Sequence, residues 1–276
     1  MNNDLIDEQT GFTMPSAKEF DIKKLFSLDE RTTLITGAAQ GIGRVAAIAC
    51  GKAGSKIAIT DKDINSAKLL EKELNEANIK AKAWELDVNY EKDIIKVFND
   101  VEKEFGTTDV LINNAGTAHR NPAELMKTEE FNKIINLNLT SAFICCRTVA
   151  KGMLEKNKGS IINISSIMGV TGGGPAPNSP YHASKGALVN LTRSLANEWG
   201  DRGIRVNSIG PTYTKTRLVK ELSKDKAKLD HIIQRTPLKR LAEVSEMAGG
   251  ILFLASDASS IVTGHTLMLD GGWSAI

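Results

Sequence analysis

Residues 31–53 restrict the fold more than any other stretch of the chain. Residues 31–35 (RTTLI) read as a buried strand that runs into Thr36-Gly37-Ala38-Ala39-Gln40-Gly41-Ile42-Gly43. An apolar helix is expected over residues 44–53, with Gly54 as its stop. Strand, glycine-rich turn and helix, in that order, are the context that a dinucleotide-binding unit requires. Glycines let the backbone turn sharply and approach a pyrophosphate, and the helix N-terminus offers orphan N–H groups and a dipole favourable to an anion. The next strand, residues 56–60 (KIAIT), ends in Asp61, 18 residues after Gly43. A carboxylate there either accepts the ribose hydroxyls of NAD and repels the 2′-phosphate of NADP, or caps the following helix.

The same alternation continues. Residues 65–77 read as an amphipathic helix, 81–86 as a strand ending at Asp87-Val88, and 90–105 as a helix closed by Gly106. Residues 109–113 (DVLIN) form a fourth strand that opens into Asn113-Asn114-Ala115-Gly116, and 129–151 a long helix carrying Asn136 and Asn138 among apolar residues. By themselves, such asparagines are expected to be exposed or locally bonded. Residues 160–165 (SIINIS) are a strand ending at Ser165-Ser166, followed by a glycine- and proline-rich loop over 169–180. A helix then runs to about Trp199, with strands at 205–209 (RVNSI) and 265–269 and a helix at 245–255. Repeated β-α units with short connections imply a single α/β domain, a doubly wound parallel sheet of about seven strands with helices on both faces. The domain spans residues 29–276; residues 1–28 lack a clear period and form an N-terminal extension that Phe12, Phe20, Leu25, Phe26 and Leu28 could dock, although a poorly ordered tail over the first dozen residues fits equally. Residues 212–241 are charged and amphipathic, and read either as a substrate lid or as a plain surface helical pair.

Tyr181 and Lys185 lie four residues apart, so they share one helical face. A phenol ordinarily titrates near ~10, and a neighbouring ammonium favours the phenolate. Bringing it to ~7 takes roughly three pH units, about 4 kcal/mol of differential stabilisation. With 35 Lys+Arg against 33 Asp+Glu the formal net charge is +2, which gives no support for a nucleic-acid surface. No apolar run is long enough to cross a membrane, and the first dozen residues (MNNDLIDEQTGF) do not resemble a secretory signal, so a cytoplasmic protein is expected. Cys50, Cys145 and Cys146 read as buried reduced thiols, and the four histidines lack metal-ligand spacing, so no metal is expected.

Taken together, Thr36-Gly37-x-x-x-Gly41-Ile42-Gly43, Asp87, Asn113-Asn114-Ala115-Gly116, Asn138, Ser166, Tyr181-x-x-x-Lys185, and Pro211 followed by Thr216 resemble the short-chain dehydrogenase/reductase family in its common single-domain Rossmann form. The resemblance covers residues 33–273. It implies catalytic roles for four residues: Tyr181 as proton donor and acceptor, Lys185 lowering its pKa and holding the nicotinamide ribose, Ser166 bonding the substrate oxygen, and Asn138 anchoring a water in a proton relay. The last replaces the reading of Asn138 as merely a local polar residue. It also implies that Gly37, Gln40, Gly41, Ile42 and Gly43 form the pyrophosphate turn, with Asp61 on the ribose. Asp87 and Val88 would contact the adenine, and Asn114, Ala115 and Gly116 line the cofactor cleft. Pro211, Thr214 and Thr216 would bound the nicotinamide, together with Tyr181 and Lys185. Two departures stand out: the loop between Ser166 and Tyr181 is longer than is common, so that either Ser165 or Ser166 could face substrate, and Thr212 stands where glycine is usual.

The resemblance implies an NAD(H)-dependent oxidoreductase acting on a secondary alcohol or ketone. His119-Arg120 and Arg235-Thr236-Pro237 look like the sugar-acid and polyol branch, in the pattern of gluconate 5-dehydrogenases, where Arg120 would reach a substrate carboxylate if it is not simply solvated. A 3-oxoacyl thioester reductase is the alternative, against which Asp61 argues, and a non-catalytic NAD-binding scaffold is the outside one. By resemblance the protein is expected to be a homotetramer with a small-molecule substrate and no nucleic-acid or membrane partner.

Overall fold

Residues Thr32–Thr36, Val110–Asn113 and Gly159–Ile164 are buried along their whole length. Strands covered on both faces need such continuous apolar runs, because successive side chains enter opposite layers. Leu34 and Ile35 show this, as do Leu111 and Ile112, and Ile161 and Ile162: the first of each pair joins one hydrophobic cluster and the second joins the other.

The computed structural model describes residues 5–6 and 13–276. It begins with a short antiparallel pair, β1 (Leu5–Ile6) and β2 (Thr13–Met14), and the one-turn helix α1 (Ile22–Phe26). The body comprises β3 (Thr32–Thr36), α2 (Gly41–Lys52), β4 (Lys56–Asp61), α3 (Ile64–Glu76), β5 (Ala81–Glu85), α4 (Glu91–Phe105) and β6 (Val110–Asn113). The second half is α5 (Thr128–Ile135), α6 (Ser141–Lys156), β7 (Gly159–Ile164), α7 (Ser179–Trp199), β8 (Ile204–Pro211), α8 (Arg217–Lys224), α9 (Lys226–Arg235), α10 (Met247–Ala255) and β9 (Thr266–Leu269). The seven strands β3 to β9 form one parallel sheet in the order β5-β4-β3-β6-β7-β8-β9. Helices α2, α3 and α10 cover one face, and α4, α6 and α7 the other. The order reverses between β3 and β6, and in such sheets the crevice outside the strand C-termini at that point binds ligands.

Several elements differ from the sequence expectation. Helix α2 starts at Gly41 rather than Arg44, so two turn glycines lie inside its first turn. The expected long helix over 129–151 is interrupted: α5 and α6 are joined by a π-helical turn, Asn136–Thr140, which carries Asn138. Such turns insert an extra residue and re-aim side chains, which apolar periodicity does not reveal. The segment over 212–241 splits at Asp225, which ends α8 and caps α9 by accepting from the Lys228 N–H.

Part of the extension lies among the described residues. Asp21 caps α1 by accepting from the N–H groups of Lys23 and Lys24, a signal the missing period concealed. Leu28 is fully buried and its N–H donates to Ala53 O at 2.7 Å, whereas Phe20 is 54 % exposed; Phe12 lies outside the described residues. The three cysteines are buried free thiols, and burial pushes Cys50 and Cys146 up to about 12. They therefore pack as small apolar side chains with little thiolate character.

Leu28 thus fastens the extension. Leu28→Ala should lower unfolding free energy by about 2–4 kcal/mol in urea titration, the usual cost of a buried leucine. Phe20→Ala should stay within about 0.5 kcal/mol, as exposed positions do.

Candidate active site

The C-terminal ends of the strands around the reversal open onto a cleft of about 670 Å³. Its first wall is the turn after β3. Gly37 has φ +61°, and a Cβ there would sit 3.1 Å from Ala115 Cα; a Cβ on Gly43 would lie 2.3 Å from Gly37 O. Only glycine allows this closeness, which brings bare backbone and the N-terminal N–H groups of α2 to the cleft. Asn114 holds the turn there. Its Nδ2 donates to Thr36 O (3.1 Å) and Gly37 O (2.8 Å), while the N–H groups of Asn114 and Ala115 both donate to Thr36 Oγ1 (3.1 Å each).

Asp61, at the end of β4, also lines the cleft and is buried. Its Oδ2 accepts from Ala39 N–H and its Oδ1 from Asp63 N–H, each at 3.0 Å. The cap of α3 is Asp63, which accepts from Ser66 N–H, so the capping alternative for Asp61 is set aside. Each Asp61 oxygen keeps a lone pair for a further donor. Gln40, Gly41, Ile42, Asp87, Val88 and Gly116 line the same cleft, as do Pro211, Thr214 and Thr216 opposite. A Cβ on Gly41 would close the gap to Thr216 Cγ2 at 3.4 Å. Bare turn, helix N-terminus and acidic strand end fit the pyrophosphate and ribose of a nicotinamide dinucleotide.

The far end of the cleft is formed by α7, which presents Tyr181 and Lys185 from successive turns. Lys185 is 4 % exposed, and its Nζ donates to Ile164 O at 2.6 Å. With no carboxylate beside it among the described residues, burial pulls its ammonium down to about 8. Its Nζ lies 5.7 Å from the Tyr181 ring centroid. The expected lowering of the tyrosine by this cation is not what the site shows: burial pushes the Tyr181 phenol up, and the groups pulling it back are the Ser166 hydroxyl and the charge of Arg120. The lysine sits beside the ring and is bonded to a carbonyl, so desolvation of the phenol prevails.

The two serines separate clearly. Ser165 Oγ donates to Lys185 O at 3.1 Å, whereas Ser166 Oγ accepts from Met168 N–H at 3.1 Å and stands beside the phenol. Asn138 is 1 % exposed, against the expectation from its helix alone. Its Nδ2 donates to Thr117 O (2.9 Å) and Ser184 Oγ (3.0 Å), and its Oδ1 accepts from Thr117 N–H (2.9 Å), tying the loop after β6 to α7. Arg120 reaches the cleft mouth and donates to Leu218 O at 3.3 Å. Three residues had no local signal. Tyr213, with its phenol raised by burial, stacks edge-on against Trp273 at 5.3 Å, and Met168 joins them in an apolar cluster with Val219, Leu222 and Ile232 of α8 and α9. Only the meeting of distant segments creates this wall.

The profile of the family described as Enoyl-(Acyl carrier protein) reductase matches residues 37–274. The 5-keto-D-gluconate 5-reductase of Escherichia coli is 39% identical over 248 residues, 90% of this chain and 97% of that protein. The 3-oxoacyl-(acyl-carrier-protein) reductase of Escherichia coli is 37% identical over 246 residues, 89% of this chain and 98% of that one. The crystal structure of a gluconate 5-dehydrogenase from Burkholderia cenocepacia, in complex with NADP and tartrate, superposes with a TM-score of 0.89 at 33% identity, covering 93% of this chain and 100% of that one.

The buried ammonium has a stability consequence. A lysine held at about 8 against its ordinary 10.5 penalises the fold fully below pH 8, and the penalty fades as pH rises toward 10.5. Lys185→Met should therefore raise unfolding free energy by about 2 kcal/mol at neutral pH, allowing for the lost hydrogen bond, with a smaller gain at alkaline pH. Urea titrations at both pH values check this, and a loss of stability at neutral pH would contradict it.

Proposed function

The chain belongs to the short-chain dehydrogenase/reductase family, and from that membership and the cleft we propose an NAD(H)-dependent dehydrogenase of a sugar acid or polyol, in the manner of gluconate 5-dehydrogenases. The oxidoreductase class acting on CH–OH groups follows from the family. The observation that carries the finer reading is the pairing of Asp61 at the ribose end with Arg120 at the mouth of the Tyr181 site.

A bound nicotinamide supplies or accepts the hydride. The turn of Gly37, Gln40, Gly41, Ile42 and Gly43 would hold its pyrophosphate, Asp61 its adenosine ribose, Asp87 and Val88 its adenine, and Lys185 the second ribose. Asn114, Ala115 and Gly116 form the floor, with Pro211, Thr214 and Thr216 near the carboxamide. Tyr181 gives a proton to the substrate oxygen during reduction and takes one during oxidation. Ser166 donates a hydrogen bond to that oxygen and stabilises its developing charge. Asn138 acts through the loop and helix it joins and anchors the relay water. Arg120 pairs with a substrate carboxylate. Residues 212–241 act as the lid, because α8 and α9 already pack onto Met168 and Tyr213. Residues 1–28 are an extension to the catalytic domain 29–276. The assembly is a cytoplasmic homotetramer built through the helices carrying Asn138 and Tyr181 and the edge strand β9.

The 3-oxoacyl reductase reading retains support from the 37% identical relative. A turnover screen of D-gluconate, polyols and 3-hydroxyacyl thioesters separates the two; activity confined to the thioesters would remove the sugar-acid reading.

Tyr181→Phe should lose nearly all turnover, about 10³-fold or more, while still binding NADH in a fluorescence titration; a near-normal rate would take Tyr181 out of the mechanism. Because the phenol is raised and protonated at neutral pH, wild-type reduction should be level near neutrality, and oxidation should climb as pH rises through the alkaline range. The kcat/KM profiles in both directions check the sign. Efficiency with NAD should exceed that with NADP at least about tenfold, and Asp61→Ala should narrow the gap by removing the charge that repels the 2′-phosphate. Equal efficiencies in the wild type would contradict the role of Asp61.

A further inference from the structure

Three cleft residues carry a buried polar atom with no hydrogen-bond partner among the described residues, Thr212 (Oγ1), His182 (Nε2) and Asn178 (Oδ1), and the last two lie together. These two residues are four apart at the start of α7, so their side chains are neighbours. Asn178 occupies the cap position, where an asparagine normally accepts from the N–H of the second or third helical residue. It makes no such bond, and Pro180, the second helical residue, has no N–H to offer. His182 Nδ1 lies 2.8 Å from Asn178 O. A carbonyl only accepts, so Nδ1 carries a proton, and in the tautomer protonated there alone Nε2 presents a lone pair. Leaving a buried acceptor unpaired costs about 1–3 kcal/mol.

Both side chains are shared by two cavities. One is the cleft already described, and the other is a space of about 430 Å³ beneath the loop of Gly172 and Gly174, facing Ala123. The long loop before α7 thus makes room next to Tyr181, and among the groups lining it His182 Nε2 and Asn178 Oδ1 are unpaired acceptors.

We infer that His182 and Asn178 form a hydroxyl-reading wall that selects a polyhydroxylated chain over an unsubstituted one. The inference rests on the sugar-acid reading and names the side chains that would produce it. A hydroxyl of the substrate donates to His182 Nε2 and another to Asn178 Oδ1, pairing both acceptors. A methylene in the same place donates nothing and leaves both unpaired. Sites built around a substrate hydroxyl reject the analogue lacking it far more strongly than apolar pockets reject a missing methylene.

The test compares oxidation of D-gluconate with that of 5-hydroxyhexanoate of matching C5 configuration, which keeps the carboxylate and the reacting alcohol and lacks the other hydroxyls. Wild-type kcat/KM should favour gluconate about 100-fold or more. His182→Leu and Asn178→Ala should each cut that preference about tenfold, through a higher KM for gluconate, as loss of one hydrogen bond implies. His182→Gln, whose carbonyl still accepts, should retain most of it. Thermal melting and NADH titration of each variant establish that it is folded; should His182→Leu fail there, Asn178→Ala carries the test. An unchanged preference in the folded variants would overturn the wall, as would an equal loss on both substrates or a glutamine variant as impaired as the leucine one. Wild-type protein that oxidises no gluconate with NAD or NADP overturns this inference, and turnover confined to 3-hydroxyacyl thioesters overturns the sugar-acid reading with it, whereas gluconate turnover with preference unchanged by the variants overturns the inference alone.

Discussion

The side-chain amide of Asn114 spans the point where the strand order reverses, and the site depends on that crossing. Between β3 and β6 the chain leaves the sheet in opposite directions, so their C-terminal ends diverge and no regular ladder joins the turns beyond them. Asn114 supplies the missing link by donating to Thr36 O and Gly37 O. Thr36 answers by accepting from two backbone N–H groups of the β6 turn. The glycine turn is thereby held close against Ala115, where a Cβ on Gly37 would be crowded at 3.1 Å. A residue that lines the cleft is thus also what holds its two halves together.

At the other end, burial sets the chemistry. Lys185 is almost entirely desolvated and makes a hydrogen bond to a neutral carbonyl, so it enters the site as a weakened ammonium. Tyr181 is pushed the other way by the same desolvation, toward the protonated phenol. Burial shifts both groups toward their neutral forms, as a low-dielectric site dictates. Ser165 and Asn138 stabilise this arrangement: one fastens the Lys185 carbonyl, and the other joins Thr117 to Ser184.

Much of this was legible in the residue order. The strand runs and the turn after residue 35 pointed to a parallel doubly wound sheet, and all seven expected strands lie within a residue or two of the expected bounds. The departures have physical causes. Helix α2 begins early because glycine costs a helix little in its first turn, where backbone N–H groups face the cleft instead of a partner. The π turn at Asn136–Thr140 is hidden in the residue order because one extra residue leaves apolar spacing nearly intact while turning Asn138 inward. The four-residue spacing placed Tyr181 and Lys185 on one face correctly, but spacing carries no information about where an ammonium ends up relative to a phenol oxygen.

The order of residue types by itself determined the fold class, the placement of the glycine turn before a helix, and the juxtaposition of a tyrosine with a lysine, because each follows from local periodicity or from contacts within one turn. Tertiary structure alone decided which serine faces the phenol, that Asp63 rather than Asp61 caps α3, and that burial outweighs the lysine in setting the tyrosine's proton affinity. It alone brought Tyr213, Trp273 and Met168 into one wall, and left acceptors of Asn178 and His182 without partners among the described residues. These depend on solvent exclusion and on contacts between residues far apart in the chain, quantities that no short stretch of sequence contains.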